Sequence, residues 1–401
     1  MNKNKALLCF TASYPYGARE TYFANELEYL AKAFEIVYIW PTYNPTGSEA
    51  MRSIPPNVRV LKPVVPNGFA RFMQGIFNTS PFLLFVSDFF NKKVYKNSHT
   101  AKKWFNALLV FRIKYQKVKA FLSEHEKHLV LYSYWGGATI YIPDVCKAYP
   151  KVMRMHGGDF YLNRNYGYLP LVQKIYDNTD LLLPISNDIS NILQTQYSIP
   201  PQKIFVNYLG VDNMFNNQSV RSDNVIRIVS CSNLVELKRV FLIAQFVVNW
   251  KHKIPIEWHH FGDGAEAAGI NDIIRNYSGA NKIKLHGWTA PKELYRFYST
   301  VYIHWFLNVS KYEGVPVSIM EAFSFGIPCI ATNVGATSEI VNTANGYLID
   351  IQFKFSELEE LILSIHEEHY ETKRKNAYIT WKNKFDANKN YNELVDKLHT
   401  L

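Results

Sequence analysis

The stretch YEGVPVSIMEAF carries two glutamates eight positions apart, Glu313 and Glu321, with Gly314 and Pro316 between them. Glutamate is rarely buried without a partner, so two of them in so apolar a run point towards ligand chemistry. Pro316 presets φ for a first helical turn. The main-chain N–H groups from Val317 and Ser318 onward then lack partners within the helix and form a site suited to an anion. Glu321 lies about a turn further in, and Glu313 lies on the preceding loop; each can accept hydrogen bonds from hydroxyls. A ligand with an anionic middle and hydroxyls on both sides, such as a sugar nucleotide, matches this order. On the residues alone, a capping acid beside a surface acid remains an alternative.

Other loops at strand ends carry chemistry of the same kind. CSNLVELKRV brings Lys238 and Arg239 to a helix start, where two cations suit a diphosphate; Lys and Arg at a helix start are also commonplace. GDG, with Gly262 and Gly264, is a tight turn that lets main chain approach a ligand. HGGD places His156 before two glycines, although a core histidine held by main chain fits that position too. His259 and His260 alternate to opposite faces of a strand, and no Asp-x-Asp pair is present, so no metal site is expected.

These loops need parallel strands to hold them. Apolar runs at residues 6–11, 35–40, 129–134, 151–155 and 181–185 alternate with helical patterns at 21–32 and 186–196, and 203–207 reads as a further strand. The polar stretch NNQSVRSDN at 216–224 interrupts the pattern and reads as a linker. Strands are then expected at 225–230, 256–261, 283–285, 301–306 and 328–332. Helices are expected at 240–250, 266–276, 291–299 and from Pro316, and a charged helical segment at 356–389. Repeated β-α units imply parallel sheets with helices on both faces, and ligands gather at the carboxyl ends of such strands. The expectation is an α/β chain of two Rossmann-like domains, at 1–212 and 213–380, whose sheets face a central cleft, with 381–401 a helix returning to the first domain.

The chain has 401 residues, 48% hydrophobic and 19% charged, with a formal net charge of +10. A basic balance favours anionic partners. Residues 89–123 contain no acid, nine lysines and arginines, and several aromatics, a combination that suits an anionic membrane surface. The four cysteines, Cys9, Cys146, Cys231 and Cys329, are scattered without a C-x-x-C pair, which points to a reducing compartment. No apolar run reaches the length of a membrane span, and MNKNKALLCF is too short in apolar residues for a signal peptide. A cytoplasmic protein, peripheral to the membrane, is expected.

Taken in order, the loops resemble the retaining glycosyltransferases of family 4. EGVPVSIME resembles that family's E-x7-E motif, and AFSFGIPCIATNVGATSEIV its continuation. YPYGARETYFANELEYL resembles the first strand-to-helix region, RMHGGD the active-site histidine segment, and ISNDISNILQTQYSIPPQKIFVNYLGVD the end of the N-terminal domain. FGDG and LHGW resemble the two base-contacting loops, and AYITWKNKF the returning helix.

The resemblance implies the GT-B fold and transfer of a hexose-type sugar from a UDP- or GDP-linked donor to a saccharide acceptor; the aromatic and basic content around residues 14–22, 69–90 and 161–168 favours a lipid-linked one. It places Glu313 on the donor sugar's hydroxyls, Glu321 on the ribose, Lys238 on the diphosphate and His156 beside the sugar. Trp288 and Gly262 fall at the base, Gly17 in the N-terminal loop, and Val317 and Ser318 at the phosphate. Asn233 stands where the family has an arginine, and Arg239 is the candidate replacement. Neither cofactor nor metal is expected. Departure of the sugar is expected to be assisted by the leaving phosphate, with retention of configuration. Two other readings are a nucleotide-sugar-binding protein without turnover and a basic nucleic-acid-binding protein. The second gives no reason for Glu313 and Glu321, so a nucleic-acid partner is not expected.

Overall fold

The computed structural model describes residues 6–401 except 18–19, 49, 67–68, 78–82, 126–127, 214, 216 and 367. Contacts divide the chain into two compact units, residues 1–209 with 389–401, and residues 210–388.

Unit 1 is built on β1 (Ala6–Thr11), β2 (Ile36–Pro41), β3 (Val58–Val60), β4 (Leu129–Ser133), β5 (Lys151–Met155) and β6 (Leu181–Pro184). They pair in parallel in the order β3-β2-β1-β4-β5-β6. LVLYS of β4 and KVMRM of β5 are buried at every residue. Burial of successive residues means that both faces of the sheet are covered, which is why these strands read as continuous rather than alternating runs.

Arg154 on β5 is wholly buried and pairs with Glu26, with Nη2 3.0 Å from Oε2. Its Nε donates to Tyr132 Oη at 2.8 Å, and its Nη1 and Nη2 donate to Asn207 O at 3.0 Å and Oδ1 at 2.7 Å. Tyr132 in turn donates to Glu26 Oε1. The pair is therefore both charge-matched and hydrogen-bonded, as a buried pair must be.

Unit 2 repeats the plan with β7 (Ile226–Cys231), β8 (Ile256–Phe261), β9 (Lys282–Leu285), β10 (Trp305–Asn308), β11 (Cys329–Thr332) and β12 (Gly346–Ile349). Their parallel order is β12-β11-β10-β7-β8-β9. Its core gathers Ile228, Trp258, Trp305, Leu307 and Ile330, all at most 1% exposed. In each sheet the first strand neighbours the fourth, β1 beside β4 and β7 beside β10. There the winding reverses and the loops splay apart, the place where α/β sheets bind ligands.

Several expectations are corrected. Residues 203–207 do not form a strand. A single bridge joins Leu182 to Ile204, and Phe205 and Asn207 donate to Leu182 and Pro184 carbonyls at 2.9 and 3.0 Å. The strand expected from 301 begins at Trp305. The short strands β3 (VRV) and β12 (GYLI) were not foreseen. The polar stretch after Leu209 packs with unit 2. Asn213 and Asn217 donate through Nδ2 to the carbonyls of Ser324 and Phe325, each at 2.6 Å, so amide side chains take the place of apolar anchors. The helix Tyr370–Lys384 lies within unit 2, and the chain rejoins unit 1 only at Lys389. There Tyr391 meets Tyr29 at 5.3 Å between ring centroids and His399 stacks on Phe34 at 4.9 Å. The four cysteines are unpaired, three of them buried.

Candidate functional site

In unit 2 the loops after β7 and β10 meet at one ion pair. Lys238 Nζ lies 2.6 Å from Glu313 Oε1. Asn308 Nδ2 and Ser310 Oγ donate to the same oxygen at 3.2 and 2.7 Å. Glu313 is only 7% exposed, while the Lys238 side chain is 25% exposed. Charge-assisted hydrogen bonds of this length are the stronger class. Beside them is a pocket whose lining includes Ser230, Cys231, Ser232, Lys238, Asn308 and Ser310.

The Glu313 loop has little freedom. A Cβ on Gly335, whose φ is +54°, would fall 1.9 Å from the Glu313 carbonyl oxygen, so only glycine allows this approach. Lys311 N donates to Leu237 O at 2.8 Å, tying the two loops together.

Pro316 (φ −72°, ψ 111°) precedes the helix Val317–Ser324, and no side chain caps its start. Val317 and Ser318 thus supply its first amides. Glu321, on the same helix, is 8% exposed and accepts from Tyr295 Oη at 3.0 Å. Burial pushes its carboxyl up to about 7, against the opposing effect of the Tyr295 hydrogen bond.

The loops after β8 and β9 pack on the same end of the sheet. Gly262 N donates to Gly287 O at 2.8 Å. A Cβ on Gly262 (φ +134°) would lie 1.9 Å from Ser232 O. Trp288, next to Gly287, is 72% exposed. Below it His286 stacks on Phe261 at 4.2 Å and on His259 at 5.2 Å. His260, on the opposite face, is bonded to Ser230 Oγ at 2.8 Å and to Ser232 O at 3.1 Å. Burial lowers both His259 and His260 to about 4. Among the described residues no group of three or more His, Cys, Asp or Glu is placed to hold a metal.

Two expected donor residues stand differently. Arg239 directs two of its three guanidinium nitrogens to main chain. Its Nε and Nη1 donate to the carbonyls of Val309 and Ile351, each at 2.7 Å. It opens the helix Val240–Val248 at φ +50°, and its side chain fastens the β10 loop from beneath. Asn233 is exposed, and its carbonyl closes a turn onto Val235 N at 3.0 Å.

In unit 1 the corresponding loops follow β1, β4 and β5. His156 is 8% exposed, and its Nε2 lies 3.0 Å from Tyr134 O. A carbonyl only accepts, so that nitrogen carries the proton. Burial and the nearby Arg154 charge hold the ring well below the usual histidine range, at about 3. The imidazole is therefore neutral with its N–H committed, which does not suit it to proton transfer. Its ring lies 4.6 Å from that of Trp135. Asp159 accepts from the amides of Gly136 and His156 and is pushed up to about 7 by burial. Gly17 (φ +70°) accepts from Arg52 Nε at 2.8 Å.

Glu20 was missed by the sequence reading. Its carboxylate accepts from the amides of Ala12, Ser13 and Tyr14 and from Trp135 Nε1. The sequence signal is an acid just before the first helix, directly after Arg19.

Fold and strand-end loops together define the two-domain α/β GT-B fold. Residues 213–383 match the family model described as glycosyl transferases group 1. A relative from Salmonella typhimurium (strain LT2), a putative colanic acid biosynthesis glycosyltransferase WcaL, is 25% identical over 190 residues, 45% of this chain and 47% of its own. The aligned part thus spans about half that relative's length. Among solved structures, the apo form of the lipopolysaccharide outer core galactosyltransferase WaaB has a TM-score of 0.68 at 16% identity, covering 98% of this chain and 99% of its own. Anabaena Alr3699/HepE in complex with UDP and glucose has a TM-score of 0.65 at 15% identity, covering 99% and 100%. At these identities the likeness concerns the fold.

Proposed function

We propose that the chain is a glycosyltransferase that takes a sugar from a nucleoside-diphosphate donor held in unit 2 and transfers it to a saccharide acceptor bound by unit 1. The observation that carries this reading is the Lys238–Glu313 pair at 2.6 Å, set between β7 and β10 beside an uncapped helix start. Lys238 has three N–H donors, so it can keep Glu313 and still take a phosphate oxygen. All three contacts to Glu313 fall on Oε1, and Oε2 is assigned to the sugar hydroxyls. Glu321 takes the ribose, and Trp288 with the Gly262 turn takes the base. His156 is assigned to the reacting sugar.

As the bond to the sugar breaks, negative charge grows on the leaving diphosphate. Lys238 and the amides of Val317 and Ser318 are fixed in advance to receive it, the form of electrostatic stabilisation that needs no reorganisation. Among these residues no second carboxylate is placed as a nucleophile, so we infer attack on the same face as departure, with retention. A trapped glycosyl-enzyme ester would contradict that mechanism. The relatives named above include proteins of colanic acid and lipopolysaccharide synthesis, which supports a polysaccharide or glycolipid acceptor.

A lipid-linked acceptor has a further observation in its favour. Lys92, Lys93, Lys96 and Lys102 are exposed near Phe90, Tyr95 and Phe105, which are 63%, 54% and 41% exposed. Lys103, from the same run, is instead bound to Asn165 Oδ1 and Tyr168 O at 2.5 and 3.0 Å. The reading is tested by binding and slow hydrolysis of UDP-, GDP- and ADP-linked sugars. Turnover of one donor is expected, and silence with all of them would overturn it.

A further inference from the structure

The loop after β1 points three successive main-chain N–H groups at one place, and Glu20 fills it. Oε1 accepts from Ala12 N at 2.9 Å, and Oε2 accepts from Ser13 N and Tyr14 N, each at 2.7 Å. Ser13 Oγ adds a contact at 3.2 Å. The fifth donor comes from elsewhere: Trp135 Nε1 reaches Oε1 at 2.6 Å. Trp135 lies in the loop after β4, so one carboxylate joins the two loops that flank the β1/β4 reversal.

This is not helix capping. Glu20 precedes the helix Thr21–Ala33, yet its side chain takes no amide of that helix. Its own main chain sits in the left-handed region, φ 56° and ψ 41°, at a cost of about 1 kcal/mol for a residue other than glycine. The cost is met by five contacts to one charged group, each of a kind stronger than a neutral hydrogen bond.

The consequence reaches His156. The Trp135 ring lies 4.6 Å from the imidazole at 44°, and Tyr134, next in sequence, holds the imidazole N–H through its carbonyl. Fixing Trp135 therefore fixes one wall of the histidine's surroundings. Glu20 also occupies the amides of Ala12, Ser13 and Tyr14 that would otherwise offer an anion a ready-made seat.

We propose that Glu20 is a positioning residue of unit 1: its carboxylate locks Trp135 against His156 and closes the Ala12–Tyr14 amide nest to substrate phosphate. The proposal rests on the glycosyltransferase reading given above.

The test compares the wild type with E20Q, E20A and W135F in the full chain. The probes are UDP-glucose, GDP-mannose and ADP-glucose hydrolysis, UDP calorimetry, and the Trp135 indole N–H resonance assigned through W135F. Glutamine keeps the shape but loses the charge, so E20Q is the informative variant if E20A fails to fold. In E20Q the indole resonance is expected to move upfield while UDP affinity holds, and the melting temperature is expected to fall, because the amide NH2 cannot accept from the N–H groups that the carboxylate engages. The kcat is expected to fall on the order of 100-fold, the loss typical of a catalytic group displaced by about 1 Å, with KM little changed. E20Q combined with W135F should lose no more than either alone, because both break one link. An active wild type beside an E20Q of unchanged kcat would overturn the proposal, as would a folded E20A that binds UDP no more tightly than the wild type. A wild type silent on all three donors would overturn the underlying reading, and the indole resonance would then report separately on the Glu20–Trp135 bond.

Discussion

Glu321→Gln separates binding from stability in a way that can be worked through. Glu321 is 8% exposed with Tyr295 Oη as its hydrogen-bond donor, and burial raises its carboxyl from 4.5 to about 7. A carboxyl raised in the folded state binds its proton more tightly there than in the unfolded chain. It therefore favours folding in full below about pH 4.5, and that contribution is lost as pH rises through about 7. At about 1.36 kcal/mol per pH unit the rise corresponds to at most about 3 kcal/mol. Glutamine can accept from Tyr295 but carries no charge. The stability of E321Q relative to wild type should accordingly increase by up to about 3 kcal/mol between pH 4.5 and 8.5. The assay is native-state hydrogen exchange read on peptides from β10 and β11, which reports on unit 2 without assuming that both units unfold together. UDP affinity should move the opposite way, falling roughly 10- to 100-fold at pH 8, as expected for loss of hydrogen bonds to a charged group. A stability difference flat across this pH range would refute the reasoning, because it would mean that the carboxylate is hydrated or paired when ionised.

Glu313→Ala should abolish sugar transfer with the fold intact, and full turnover in that variant would remove the assignment; Lys238→Met should weaken UDP binding, measured by calorimetry. Gly335→Ala should cost more than about 1 kcal/mol and depress activity further than stability, because its Cβ would lie 1.9 Å from the Glu313 carbonyl; thermal melting read beside donor hydrolysis checks both. Replacing Lys92, Lys93, Lys96 and Lys102 by glutamine should reduce sedimentation with anionic phosphatidylglycerol vesicles, and a wild type that does not sediment with them would end the membrane reading. Arg154→Ala should lower the stability of unit 1 by about 3–5 kcal/mol, since it strands the buried Glu26 carboxylate; denaturant unfolding followed by unit-1 hydrogen exchange measures it.

Much of this site could be read before any coordinates. Glu313, Pro316 and Glu321 announce a loop and a helix start through residue type alone, and Lys238 falls just before an apolar helical run. What stayed hidden depends on main chain brought together by the fold. Glu20 is legible only once the amides of Ala12, Ser13 and Tyr14 turn towards it and Trp135, over a hundred residues away, supplies an indole N–H. Arg239 looked like a phosphate ligand because sequence shows its charge; it does not show the carbonyls of Val309 and Ile351 that engage its guanidinium. The edge strands β3 and β12 are three and four residues long with mixed polarity, too short to carry a period. The polar stretch read as a linker is held to unit 2 by the side chains of Asn213 and Asn217, contacts that the sequence shows only as polarity.

Where the chain enters and leaves unit 2, its two ends lie side by side. Val211 bridges Asp386 in parallel, and a Cβ on Gly210 would come within 2.3 Å of Ala387 Cα. On the unit 1 side, Asn390 Nδ2 reaches the carbonyls of Tyr208 and Leu209, each at 3.3 Å. Residues 210–388 are thus an insertion with neighbouring termini, a cassette that one recombination event could lift out whole and replace. Exchange of that cassette would change the nucleotide-sugar specificity proposed for unit 2 and leave the acceptor binding proposed for unit 1 as it was.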